Sequence, residues 1–186
     1  MTRKKILIAG IGNIFLGDDA FGVEVVHELA RRRQPAEVSV VDFGIRSYDL
    51  AYALTDGYDA VILVDATPRG EPPGTVSLIE PDLSRLNQLD HEAMDAHTLN
   101  PVAVLHLAQA LGGQTSKIYL VGCEPAELVA SEAGDLGLSE PVHAALPAAV
   151  AMIESLVEKL LGRPHPEADL NLTETERKEN YEHVGL

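Results

Sequence analysis

Short β-branched runs alternate along the chain with segments of helical periodicity, and this alternation restricts the fold more than any other feature. Lys5–Gly10, Glu37–Asp42 and Asp59–Asp65 are compact apolar runs, the first closed by glycine and the third almost uninterrupted. A strand that is apolar along its whole length has both faces covered, as happens in parallel sheets with crossover helices. Between these runs, Ala20–Arg33 places Phe21, Val25 and Leu29 at helical spacing and ends on an arginine triplet that complements the negative end of the helix dipole. Ser47–Thr55 reads as a short helix, and Pro68–Gly74, with its prolines and glycines, as a loop. Thr75–Ile79 reads as an edge strand and His97–Leu111 as a helix stopped by Gly112-Gly113; Lys117–Gly122 is a further strand and Pro141–Leu161 a final amphipathic helix. The order predicts a single α/β domain of three layers, a mainly parallel twisted sheet flanked by helices, of the phosphorylase/hydrolase-like kind. The domain is expected over residues 1–162. Residues 163–186 hold three Lys/Arg against six Asp/Glu with few large apolar side chains, the composition of a flexible acidic tail.

A domain of 186 residues buries roughly 70% of its unfolded surface and needs no cross-link to hold it. With three Phe, five Tyr and no Trp, its core must be aliphatic. The single cysteine, Cys123, excludes an internal disulfide and a cysteine-rich zinc cluster. That suits a reducing, cytoplasmic setting. No run approaches the ~20 apolar residues of a membrane span. The basic start Thr2–Lys5 precedes an apolar run too short for a secretory leader, and Asp18-Asp19 stand where no cleavage site would. The net charge of −15 argues against nucleic acid and anionic membranes as partners. A cytoplasmic protein, monomeric when free, is expected.

In sheets of this kind functional groups gather at the carboxyl ends of the strands. Asp18 and Asp19 follow the first strand, Asp42 ends the second, Asp65 ends the third, and His97 opens a later helix. Loops after adjacent parallel strands lie side by side, so Asp19, Asp65 and His97 could converge as two carboxylates and an imidazole, a donor set for nickel or zinc. Each has an ordinary reading too. Asp19 could cap the helix at Ala20, Asp65 could satisfy turn amides, and His97 could be an unremarkable helix-start residue. Cys123 reads as a small buried residue, and His91, His106 and His143 have no partners at ligand spacing. A competing class is a dinucleotide-binding oxidoreductase, since Gly10-Ile-Gly12 follows a strand and Asp42 ends the next. It fails at the third glycine position, which is Phe15, and at Asp18-Asp19, whose charge would oppose a pyrophosphate.

Taken together, five ordered blocks resemble the nickel–iron hydrogenase maturation endopeptidases. They are Gly10-Ile-Gly-Asn-Ile-Phe-Leu-Gly-Asp-Asp-Ala-Phe-Gly-Val23, Asp42-Phe-Gly44, Val61-Ile-Leu-Val-Asp-Ala66, Asp95-Ala-His-Thr-Leu99 and Val121-Gly-Cys-Glu-Pro125. The resemblance spans roughly Lys5 to Leu161. It implies an endopeptidase that removes a C-terminal extension from the hydrogenase large-subunit precursor once nickel has been inserted. The metal-contacting positions match Asp19, Asp65 and His97, and the acid matching Asp42 is implied to matter for catalysis. The nickel is expected to arrive with the substrate, with no permanent cofactor. Two departures stand out. The first ligand position is Asp rather than the Glu of some relatives, a reach shorter by about 1.5 Å that Asp18 could share. The segment after Asp42 reads Phe-Gly-Ile-Arg-Ser in place of Gly-Gly-Thr, which implies a distinct subgroup and large-subunit partner. A non-enzymatic metal-dependent chaperone of the same large subunit would use the same three residues. A metallopeptidase with its own zinc is disfavoured by the lack of His-Glu-x-x-His.

Overall fold

The computed structural model describes residues 4–81, 101–112, 117–126 and 137–163. Within them the chain forms β1 (Ile6–Ile11), a 3-10 turn (Gly17–Ala20), α1 (Phe21–Ala30), β2 (Val38–Gly44), α2 (Ser47–Ala53), β3 (Ala60–Ala66), β4 (Val76–Ile79), α3 (Pro101–Ala110), β5 (Ile118–Cys123) and α4 (Glu140–Leu161). The strands make one five-stranded sheet in the order β2-β1-β3-β5-β4. β1 pairs in parallel with β2 and β3, and β3 with β5, whereas β4 runs antiparallel on the edge.

The apolar runs explain the placement. β1 is buried along its whole length and β3 along nearly all of it, so they take the central positions where helices cover both faces. Strand alternation sorts their side chains. Ile6, Ile8, Ile62 and Val64 face α1 and α4, packed with Phe21, Val25, Leu29, Val150 and Ile153. Leu7, Ala9, Val61 and Leu63 face the other way, onto Leu50 and Leu54 of α2 and its surroundings and Val104 and Leu105 of α3. Each fully buried Leu or Ile in these two layers contributes about 1.5–3 kcal/mol over an exposed one. The three-layer, mainly parallel architecture expected from the alternation is what forms, with β4 as its antiparallel edge.

Several boundaries shift. β2 continues past Asp42 to Gly44, with a register irregularity opposite Gly10 and Ile11. The first helix begins one residue later than Ala20, after a 3-10 turn that includes both Asp18 and Asp19, and it ends at Ala30 before the arginine triplet. α3 is described from Pro101; His97 and the residues up to 100 lie outside the described residues, as does the tail from 164. No helix among the described residues is long and apolar enough to cross a membrane.

The topology reverses direction between β1 and β3: the chain leaves β1 toward β2 on one side, then crosses to β3 on the other. A crevice opens outside the carboxyl ends of strands at such a point. Asp19 follows β1 and Asp65 ends β3, so the two sit at this crevice.

Candidate active site

Glycines bring the β1 loop against the sheet. Gly12 has φ +132°, a backbone state that L side chains avoid, and a Cβ there would overlap the Asp19 carbonyl. Gly22, in the first turn of α1, lies against the Val64 and Ile11 carbonyls, and Gly10 lies against Val26 and the Gly22 carbonyl. Only hydrogen fits at these contacts. The start of α1 therefore sits directly on the ends of β1 and β3, and Asp19 is held at the mouth of the crevice. The side of Gly12 that a phosphate-binding loop leaves open is here packed against the chain's own Asp19 carbonyl, an arrangement unlike a dinucleotide-binding turn. Phe15, which stood against that reading in the sequence, is an exposed loop residue; Gly22 makes the close helix contact.

The Asp19 carboxylate does not cap α1. Ala20 is the N-cap and makes no side-chain cap bond; instead the amide of Asn13 donates to Asp19 Oδ2 at 2.6 Å. Asp65 is buried at the end of β3, and its pKa is raised well above the ordinary 3.8, first by burial and then by the charge of Asp19; a hydrogen bond from the Ala66 amide pulls the other way. Asp19 and Asp65 thus form an electrostatically coupled pair, with burial and like charge acting together on Asp65. Burial and like charge together are the arrangement that a cation relieves. Among the described residues no three metal-ligating side chains gather; His97 lies outside them.

Asp18 does not share this work. The residue is 2% exposed and its carboxylate turns the other way, accepting hydrogen bonds from the Ala126 amide (2.8 Å), the Ser139 amide (2.7 Å) and the Ser139 hydroxyl (2.9 Å). Ser139 is the N-cap of α4, so Asp18 ties the head of that helix and the end of the β5 segment to the β1 loop.

Asp42 is not brought to the Asp19–Asp65 pair. It follows Val38 and Val40 on the α1 side of β2, whereas Asp65 follows Val61 and Leu63 on the opposite face, with β1 between the two strands. Its partner is His27 of α1, whose Nε2 lies 3.1 Å from Asp42 Oδ2. The Asp42 carbonyl accepts from the Arg46 guanidinium.

Cys123 is fully buried, and burial, Asp18 and Glu124 push its thiol up to about 11, which leaves it protonated and inert at neutral pH. The next residue, Glu124, is buried and accepts from the Arg69 and Gly70 amides at 2.6 and 3.2 Å, holding the loop after β3.

This framework has counterparts. The hydrogenase maturation protease family model matches residues 23–156. The chain belongs to that family. Hydrogenase expression/formation protein HoxM of Azotobacter vinelandii is 35% identical over 164 residues, spanning 86% of this chain and 75% of HoxM. A Methanocaldococcus jannaschii protein whose name assigns it to the same proteases is 32% identical over 160 residues, 86% of this chain and all of that one (100%). Among solved structures, the hydrogenase maturating endopeptidase HybD of Escherichia coli superimposes with a TM-score of 0.70 at 27% identity, over 84% of this chain and 93% of HybD. The hydrogenase 2 maturation peptidase of a Thaumarchaeota archaeon does so with 0.62 at 34% identity, over 87% and 100%. Membership makes the chain a maturation endopeptidase, and the Asp19–Asp65 crevice is its candidate centre.

Within this family member, sequence reasoning missed His27, Glu124 and the duty of Asp18. Glu124 had a signal, an acid directly after a buried strand. Asp18 had none, because its partners lie 108 and 121 residues away.

Proposed function

We propose that this enzyme hydrolyses one peptide bond near the C-terminus of a nickel-loaded hydrogenase large-subunit precursor, with the nickel of the substrate as the recognised group. The observation that carries this reading is the Asp19–Asp65 pair: two coupled carboxylates, one buried, at the crevice between β1 and β3. Paired carboxylates with an imidazole suit a divalent first-row ion. His97 would supply the imidazole; it stands four residues before Pro101, where α3 begins on the Asp65 face of the sheet. A substrate-borne ion held there would bring the adjoining peptide to the crevice mouth and polarise its carbonyl or a water. Water adds across the amide, the new carboxylate staying on the large subunit and the amine leaving with the extension. Cys123 supplies no nucleophile, being buried and protonated. Asp42, paired with His27 on the other face, would act by holding the β2 loop through Arg46 rather than by touching the ion.

The test is incubation with a matching precursor, with and without nickel, read by intact mass. Nickel-dependent loss of a C-terminal peptide, abolished in His97→Ala and Asp65→Asn, is expected. Cleavage independent of nickel would remove the recognition role, and binding without cleavage would favour a chaperone.

A further inference from the structure

Six large apolar side chains are exposed among the described residues, and five of them lie together: Ile14, Phe15, Ile45, Tyr48 and Tyr52. Phe15 and Tyr48 are 63% and 70% exposed. Ile14 and Phe15 belong to the loop after β1, and Ile45 to the turn after β2. Tyr48 and Tyr52 are four residues apart on α2, on the face away from the buried Leu50, Ala51 and Leu54. The two loops are neighbours, because β1 and β2 are paired and the Gly12 amide donates to the Gly44 carbonyl at 3.1 Å. The patch is also continuous with the crevice: the Phe15 amide donates to Asn13 Oδ1, and the Asn13 amide to Asp19. Exposed aromatic and branched side chains grouped on one face mark an interaction surface.

The charges around the patch select the partner. Asp49 borders it on α2 and Asp19 and Asp65 lie beyond its inner rim, while the nearby Arg46 guanidinium is already engaged by Asp49 and the Asp42 carbonyl. A second copy of this chain would bring carboxylates to carboxylates, and an anionic membrane would bring phosphates to them. An apolar segment carrying lysine or arginine fits both features.

We infer that these five side chains are the docking surface for the large-subunit precursor, accepting an apolar segment flanked by basic residues next to the crevice. The inference rests on the proposed function, since the Asp19–Asp65 pair fixes where the scissile segment arrives. Truncating such anchors raises KM and leaves kcat, because they bind the substrate equally in the ground and transition states.

Two double variants test it, Phe15→Ser with Tyr48→Ser, and Ile45→Ser with Tyr48→Ser; the second leaves the β1 loop intact. Leu111→Ser, at the sixth exposed apolar site where α3 ends, serves as control. Each is assayed on nickel-loaded precursor by intact mass as a function of precursor concentration, with melting temperature and sedimentation alongside. Both double variants should raise KM roughly tenfold or more, with kcat and melting temperature held and the control unchanged. An unchanged KM in both, with the wild-type enzyme active, overturns the docking surface and leaves the proposed function standing. A wild-type dimer that the double variants dissolve overturns it as well, assigning the patch to self-association. No cleavage by the wild-type enzyme takes down the proposed function and this inference with it.

Discussion

Asp18 is enclosed by protein, and its charge is tolerated because three donors from two other segments converge on it. Asp18→Ala leaves those donors facing an apolar methyl. Hydrogen bonds to a charged group contribute about 1.5–3 kcal/mol each, not additively, so a loss of about 3 kcal/mol is expected. At roughly 2–4 °C per kcal/mol for a chain of this size, the melting temperature should fall by ~6–12 °C in a thermal scan. Asp65 behaves in the opposite sense. Its raised pKa means that the folded state holds the charged form reluctantly. The penalty is fully present above the raised folded pKa and is relieved as pH falls through it toward the ordinary 3.8. Asp65→Asn should therefore melt higher than wild type at pH 7 while losing cleavage, and the gap in melting temperature should close on acidification. Stability sacrificed for function is the general pattern at such sites. Cys123 gives a third check. With its thiol pushed up to about 11 and buried, it should resist alkylation at pH 8 in the folded enzyme and react at once in denaturant.

At the scale of elements, Gly22 sets two effects against each other. Replacing a helical glycine by alanine raises helix propensity by about 0.8–1 kcal/mol. Here the added methyl would meet the Val64 and Ile11 carbonyls, and overpacking costs about 1–3 kcal/mol or more. Packing should win. Gly22→Ala is expected to lower stability in urea titration and weaken cleavage by displacing Asp19. The motif holding Gly10, Gly12 and Gly22 was visible in the sequence, but its purpose was not: spacing shows that glycines recur, whereas the carbonyls that require them come from the 3-10 turn, α1 and the ends of β1 and β3, brought together by folding. The strands themselves were legible because β1 and β3 are apolar throughout. Asp65 was legible for the same reason, as the acid that ends such a run. Helix ends were read less well, since the arginines after Ala30 continue a helical composition without continuing the helix. His27 went unnoticed because its partner Asp42 is on a strand, at no helical spacing from it.

Taken whole, the molecule separates support from chemistry. Among the described residues the cluster between the sheet and α1 and α4, with Phe21 and Ile153, is the larger of the two, while the carboxyl edge collects the coupled acids and the exposed aromatic side chains. The net charge of −15 spreads repulsion over the rest of the surface. Solubility should accordingly pass through a minimum near the pI of about 4.7, measurable by light scattering across a pH series. Family and fold could be inferred from local patterns, because five blocks recur in order along the chain. The division of labour between Asp18 and Asp19 could not, because it depends on which way two neighbouring side chains turn.

That division makes one peptide bond a mechanical joint. Asp18 is fastened to the head of α4 and Asp19 is its next residue, so a displacement of the end of the 22-residue helix passes through Asp18 to Asp19 and not to Asp65, which is fixed in β3. The longest helix among the described residues is thereby a lever, with its load at Asp19 beside the candidate centre.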